Sequence, residues 1–343
     1  MESMHYVGLD IHKKIIAFCI KTASGRIIKR GTISATRQAV NKWLENLPQP
    51  WMAAMEATLF TGWIYDFLKP HAYQIKVAHP AMLKAITSAK KKNDRDDAEK
   101  IGDLLRVNML PECYMAPVEL RELRRILRYR THIVRTATKE KNKISGLLME
   151  VGGAYNKKRL HGKKYFDELM EKIEDVPESV INMLKLSRSN LEIFTDIQKR
   201  LARTLKENQL IRERIKRLMT IPGVGEITAL TWALEICEPE RFHSIDQAVS
   251  YCGLCSAQKE SAGKEYRGPI SKKRNKHIQT ILIEAAKLAP RWNPQLAEVY
   301  EKESAKGNAN KATLAVARKL VAYLLAVDKT KKDFRIMESK KAA

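Results

Sequence analysis

Cysteine is scarce and odd in number: five in 343 residues, at positions 19, 113, 237, 252 and 255. That scatter offers no disulfide framework and suits a reducing compartment. Cys252 and Cys255 have the spacing of half a zinc site, but no second pair of ligands follows, so packed thiols are expected. Nowhere does the chain reach the roughly eighteen consecutive apolar residues of a membrane-spanning helix. The opening Met1-Glu2-Ser3-Met4-His5 lacks the basic and apolar segments of a secretion signal. These absences point to a cytoplasmic chain with no membrane partner. The largest deficit is in acids, 39 Asp and Glu against 63 Lys and Arg, a formal net charge of +24. Such an excess favours a polyanionic partner, foremost nucleic acid.

What is present is enough apolar material, 44% of the chain, for two or three domains with real cores. Three β-rich segments open the chain, His5–Leu9, Ile15–Ile20 and Gly25–Ile33, separated by turn signals, and read as a meander. Helical and strand patterns then alternate to Ala78, which predicts an α/β sheet with a helix on each side. Pro80 to Lys92 is basic and then breaks, with the three consecutive lysines of Thr87–Lys92 read as a mobile loop, and a helix is expected from Asp94 to Val107.

Asp10 ends the first apolar run, and an ionised carboxylate is costly to bury without a partner. Glu56 ends a second run, Trp51–Met55, while Asp94 and Asp97 share one helix face at i and i+3, with Asp96 beside them. Clustered carboxylates repel one another unless a divalent cation holds them, and Mg²⁺ favours all-oxygen sites completed by phosphate. Each acid taken singly is an ordinary strand end or helix cap; the ordered set points to metal.

From Val118 to Val151 the pattern becomes a heptad carrying Leu120, Leu123, Leu127, Val134, Ala137, Ile144, Leu148 and Val151, interrupted at Arg130 and Lys141. Nine Lys or Arg stand against Glu122 and Glu140 between Arg121 and Leu147, so Arg124, Arg128, Arg135 and Lys139 are expected phosphate contacts. Gly152-Gly153 ends this helix, short helices follow at Tyr165–Ile173 and from Pro177, and a second long helix over Ser187–Leu218 is expected to return antiparallel. Together they predict a coiled-coil arm.

Ile221-Pro222-Gly223-Val224-Gly225 between helices reads as a helix-hairpin-helix, whose glycines, Gly223 and Gly225, let phosphate approach the backbone. A tight packing turn is the plainer alternative. Gly253 to Asn275 reads as a loop with six Lys or Arg from Lys259 to Arg274, of which Lys264, Arg267, Lys272, Lys273 and Arg274 are expected nucleic-acid contacts. A serine there can attack phosphorus if activated; composition alone does not choose among Ser256, Ser261 and Ser271. Helices over His277–Leu288 and Thr313–Val327 and a loose basic tail close the chain.

Val7-Gly8-Leu9-Asp10, Met55-Glu56-Ala57-Thr58 and Lys92-Asn93-Asp94-Arg95-Asp96-Asp97-Ala98, followed by Gly253-Leu254, Gly263-Lys264 and Gly268-x-Ile270-Ser271-Lys272, resemble the DEDD transposases of bacterial insertion sequences, the IS-one-ten family of bridge-RNA-guided recombinases. The resemblance runs from Tyr6 to about Val327. It departs at Ser256, Glu260, Ala262 and Arg274, where the family has proline, serine, glycine and glycine.

The resemblance implies a multidomain α/β plus α protein. Residues 1–112 would form an RNase-H/RuvC-like domain, 113–217 the antiparallel arm, 218–330 a mainly α transposase domain with the helix-hairpin-helix, and 331–343 a basic tail. It implies that Asp10, Glu56, Asp94 and Asp97 hold Mg²⁺ or Mn²⁺, and that Ser261 is the catalytic serine, forming a covalent link to a DNA phosphate. The implied partners are donor and target DNA, a structured guide RNA and further copies of the chain, as a dimer or tetramer, in the bacterial nucleoid. The alternatives are a RuvC-like junction nuclease without serine chemistry and an inactive nucleic-acid-binding protein.

Overall fold

The computed structural model describes residues 3–87, 94–272 and 274–336. The chain divides into two compact units, Met1–Val118 and Glu119–Ala343.

The first unit is built on a five-stranded sheet in the order β3-β2-β1-β4-β5. The expected meander supplies β1 (His5–Ile11), β2 (Ile15–Lys21) and β3 (Ile27–Ser34), paired antiparallel. β4 (Trp51–Glu56) and β5 (Gln74–Ala78) then add parallel to β1. Alternation along β1 sends Val7, Leu9 and Ile11 to one face, where they join Val40 and Trp43 of α1 (Arg37–Leu44) and Ile64 and Leu68 of α2 (Thr61–Leu68) in one core. The Thr36 hydroxyl caps α1 by accepting from the Ala39 amide.

The other face is covered by α4 (Asp94–Arg106), whose Ile101 and Leu105 pack with Ala54 and Ala78 of the sheet. α4 lies so close to β1 that a Cβ on Gly8 would overlap the Ala98 carbonyl and the Gly102 amide. Gly8 and Gly102 therefore set the height of the helix above the strand. Pro80–Thr87 forms a helix, α3, for which the sequence reading assigns no element. Pro80 stands at its first position, which proline's fixed φ suits, and Leu83 is buried against Ala54 and Ala78. The lysine run expected as a mobile loop lies from residue 88 outside the described residues.

The second unit begins along the 33-residue helix α5 (Val118–Glu150). Its buried residues depart from a strict heptad: Ile133 is buried and Val134 only half-buried, as the drift of a straight 3.6-residue helix against a seven-residue repeat requires. Leu123 and Leu127 share a cluster with Leu205, whereas Ala137, Ile144, Leu147 and Leu148 share one with Leu184 and Leu191. The second cluster also holds Phe166 of α6 (Lys163–Lys172). Early residues of α5 thus associate with the end of α7 (Glu178–Glu207), and late residues with its beginning.

α7 corrects the sequence-based expectation of one helix over 187–218. It starts at Glu178, stops at Glu207, and α8 (Gln209–Leu218) follows. Asn208 between them is extended, and its side chain accepts from the Leu210 amide. Asparagine side chains compete with helical backbone bonding in this way, and the apolar repeat passes over the break without registering it.

α9 (Glu226–Ile236) is buried from Thr228 to Ile236 and forms the centre of the second unit. Around it stand α8, α10 (Ile245–Tyr251), α11 (Lys276–Leu288) and α13 (Ala309–Thr330), with α12 (Pro294–Ser304) packed on α13. No helix is expected from the sequence over α12; Asn293 caps it and Pro294 opens it. The tail also departs from expectation: Phe334 donates its amide to the Thr220 hydroxyl at 2.8 Å, and its ring lies 4.8 Å from that of Tyr323. Residues 337–343 lie outside the described residues.

Three helices of this unit are tied by one carboxylate. Asp328 accepts from Arg214 Nε at 2.7 Å and Nη2 at 2.6 Å, and from Trp232 Nε1 at 2.8 Å. Removing it strands a guanidinium in a largely buried site. Asp328→Ala is expected to destabilise the second unit by about 3–5 kcal/mol. Urea unfolding followed by Trp fluorescence checks this; an unchanged midpoint would refute the assignment.

Candidate functional site

The acids of the first unit are placed by strand register. β1 and β4 run parallel with Leu9 opposite Met55, so the next residues, Asp10 and Glu56, stand side by side at the two strand ends. Leu9 and Met55 belong to the α1/α2 face, and alternation therefore puts Asp10 and Glu56 on the face covered by α4. Tyr6 of β1 packs in the cluster of Leu104 and Leu105, while Gly8 meets Ala98 and Gly102, so α4 runs against β1 and brings its first turn to the Asp10 end.

Asp10 is largely buried, its side chain 13% exposed, with His12 Nε2 3.0 Å from Oδ2. The Glu56 carbonyl accepts from the Thr61 hydroxyl at 2.9 Å, which fixes the strand end. On α4, Asp97 is half-buried with Lys100 Nζ at 3.5 Å, and Asp96 is exposed. Asp94 opens the helix; its side chain lies outside the described residues.

Among the described residues no three His, Cys, Asp or Glu converge as a metal-binding group. By donor chemistry, the two adjacent carboxylates on the strand ends suit a hard divalent cation. Mg²⁺ needs few protein oxygens and retains several waters.

In the second unit, the stretch expected as a loop is a β-hairpin. β6 (Ser256–Ser261) pairs antiparallel with β7 (Lys264–Ile270). Ala262 and Gly263 form the turn with φ of 50° and 75°, the left-handed pair a two-residue hairpin requires. The sequence hides this hairpin because neither strand has an apolar face; Gln258, Glu260, Glu265 and Tyr266 are all exposed. Ser261 sits at the tip, exposed and directly opposite exposed Lys264. Ser256 and Ser271 lie at the foot, where the Ser271 amide donates to the Cys255 carbonyl at 2.9 Å.

Lys272 and Arg274 are exposed, and Arg274 Nη1 donates to the Ser271 carbonyl at 3.1 Å. Lys273 and the side chain of Arg267 lie outside the described residues. Gly253 is fixed by this return of the chain: at φ 70°, a Cβ there would strike the Arg274 side chain. Cys252 is buried, which pushes its thiol well above the usual range, in keeping with a packed thiol.

The expected phosphate contacts on α5 part company. Arg135 and Lys139 are exposed. Arg124 and Arg128 are turned to protein partners. Arg128 grips Glu235 through two hydrogen bonds of 2.9 and 2.8 Å, and Arg124 donates to the Leu234 carbonyl at 2.7 Å and to Cys237 Sγ. A heptad surface pattern cannot distinguish a cation facing solvent from one facing a buried acid.

Glu235 is the functional-site neighbour the sequence reading missed. Its side chain is fully buried. It also accepts from Asn275 Nδ2 at 2.8 Å, and its carbonyl from the Tyr251 hydroxyl at 3.0 Å. Burial pushes its carboxyl up, but the hydrogen bonds and charge of Arg128, with Asn275 and Arg124, outweigh this and hold it below the ordinary value. Asn275 lies just beyond the hairpin, so this network ties the hairpin's return to α5 and α9.

Of the two glycines in the expected helix-hairpin-helix, Gly223 is fixed by packing. At φ 93° a Cβ would come within 2.7 Å of Ala289. Gly225 precedes α9 with nothing near the position of a Cβ, and Glu226 beside it pairs with Lys206 at 2.9 Å.

A mixed sheet with paired acids and a basic helical unit with an exposed serine have known counterparts. Residues 7–152 match the family model of DEDD transposases, described as "Transposase", and residues 215–301 match that described as "Transposase IS116/IS110/IS902 family". Three relatives agree. The transposase for insertion sequence element IS1111A of Coxiella burnetii is 26% identical over 84% of this chain and 78% of its own length. A probable family 20 transposase of Pseudomonas aeruginosa is 24% identical over 83% and 84%. The transposase for insertion sequence element IS1328 of Yersinia enterocolitica is 22% identical over 93% and 95%.

The class is thus that of insertion-sequence transposases. Both family models, which together take in more than half of the chain, point to one family within it, and the chain belongs to the IS110 family. No helix among the described residues is long and apolar enough to cross a membrane.

Proposed function

We propose that this chain is a DNA recombinase that mobilises its insertion sequence through a serine–phosphate intermediate, with donor and target DNA chosen by a structured RNA. The observation that carries the reading is Ser261 at the exposed tip of a two-residue hairpin, opposite Lys264, in a chain of the IS110 family. A tip serine is accessible to a DNA phosphate, and Lys264 offsets the charge that develops there. In the step, the serine oxygen forms a bond to phosphorus as the bond to one DNA oxygen breaks. The serine gives up a proton and the departing strand takes one up. The phosphoserine ester retains the linkage energy, so religation to a new strand needs no ATP.

Asp10, Glu56, Asp94 and Asp97 are the residues that would hold Mg²⁺ or Mn²⁺, which supplies charge neutralisation at phosphate. The mixed sheet with acids on neighbouring strand ends supports a RuvC-like first domain, and the opposite order of α5 and α7 in the two apolar clusters supports an antiparallel arm. Under this reading the three functional parts are residues 1–112, 113–217 and 218–330, and copies of the chain assemble as a dimer or tetramer.

A second reading is favoured by one observation: Asp10 and Glu56 are brought together by the first unit alone. In it, that unit hydrolyses DNA junctions with water, and Ser261 only contacts phosphate.

Purification from cells carrying the flanking element DNA, followed by sequencing of bound nucleic acid, tests the RNA-guided reading. One discrete structured RNA from the element's non-coding end is expected. Heterogeneous nucleic acid released by moderate salt would instead identify charge-driven binding alone.

A further inference from the structure

Lys141 interrupts the apolar seam of α5, and the recombinase reading gives it no role. The structure shows where the seam opens. A cavity of about 440 Å³ lies in the second unit between α5, the segment before α6, and α7. Its lining includes Lys141, His161, Arg188, Glu192, Asp196 and Lys199.

The two acids do not cancel the cations. Glu192 is held by Arg188 at 3.0–3.1 Å, and Asp196 by Arg200 at 2.9 Å, so each is already matched by an arginine. Lys141 and Lys199 add charge beyond these pairs. Arg188 also donates to the His161 carbonyl at 2.8 Å, which fixes the segment carrying His161 against α7. The imidazole Nδ1 is buried without a hydrogen-bond partner. Burial, then the charges of Lys141 and Arg188, push the His161 pKa down.

We propose that this cavity is a phosphate-binding site in the helical arm, in which Lys141 and Lys199 hold one phosphate group beside the Arg188–Glu192 pair and near His161. The ligand is a phosphate carried by a nucleic-acid strand, internal or terminal. The inference rests on the reading that the chain handles nucleic acid, and it assigns the seam lysine to that role. A phosphate brought beside His161 favours its charged form and opposes the repulsion from Lys141 and Arg188. Occupancy of the cavity is thus written into the titration of a single histidine.

The test uses the full chain with isotope-labelled histidine, titrated by NMR with pH in three solutions: chloride, inorganic phosphate, and a short single-stranded RNA without terminal phosphate. His161→Asn assigns the resonance. The expected result is an upward shift of the His161 midpoint by about one pH unit when phosphate groups are present. The shift should disappear in Lys141→Met and persist in Lys141→Arg. A shift with inorganic phosphate and RNA identifies a backbone site; a shift with inorganic phosphate alone identifies a terminal or free phosphate. Equal midpoints in all three solutions, or a shift unaltered by Lys141→Met, would overturn the proposal. Filter binding of long RNA and DNA, run in parallel, reads the broader function separately. Loss of all nucleic-acid binding with the histidine shift intact would count against that function and not against the site.

Discussion

Ser261→Ala is expected to abolish strand exchange and any covalent protein–DNA adduct while leaving DNA binding and the fold in place. The side chain is exposed at a hairpin tip, so its hydroxyl removes nothing from a core. Loss of an attacking group typically costs several orders of magnitude; a fall of roughly 10⁴-fold in recombination is expected. The assay is recombination between donor and target DNA, with adduct detected by denaturing gel after protein trapping. Undiminished cleavage without adduct would transfer the chemistry to the acids and support the junction-nuclease reading. Ser256 and Ser271 supply an internal control. Both lie at the foot of the hairpin, and alanine at either position is expected to leave adduct formation intact.

The second large effect belongs to Asp10→Asn. The substitution keeps the shape of the side chain beside His12 but halves the carboxylate pair formed with Glu56. A hard divalent cation loses affinity sharply when a charged oxygen becomes an amide oxygen. Activity is expected to fall by at least about a hundredfold, the equivalent of roughly 3 kcal/mol. Excess Mn²⁺ should recover part of it. Thermal melting of the first unit, with and without Mg²⁺, separates this from misfolding: the parent chain is expected to be stabilised by the ion and the variant less so. Full activity in Asp10→Asn would remove the acids from the mechanism.

Much of the first unit was legible because its strands carry continuous apolar runs ended by acids, as in Val7-Gly8-Leu9-Asp10 and Met52–Glu56. Register then follows from the sheet, and Asp10 meets Glu56 without any signal in the sequence that pairs them. The second unit was less legible where polar chemistry decides local structure. Asn208 breaks a continuing apolar repeat by a side-chain bond. The serine hairpin was hidden because its strands lack an apolar face. Arg124 and Arg128 look like surface cations until Glu235, more than a hundred residues away, is seen between them. Gly223 is read from the sequence as a glycine that lets phosphate approach, while the structure gives it a packing reason, its Cβ position being taken up by Ala289.

The serine hairpin carries one more consequence. A ribbon of two strands with no apolar cover is marginally stable in water, and here Glu260 faces Glu265 across it, where like charges repel. Among the described residues β6 and β7 pair only with each other, so no neighbouring sheet buffers them. Its shape is therefore open to ordering from outside, as by a polyanion meeting exposed Lys264 and Lys272. Under the proposed serine chemistry, the nucleophile would reach attack geometry only once substrate is in hand, which would act as a safety catch against stray breaks in the host chromosome.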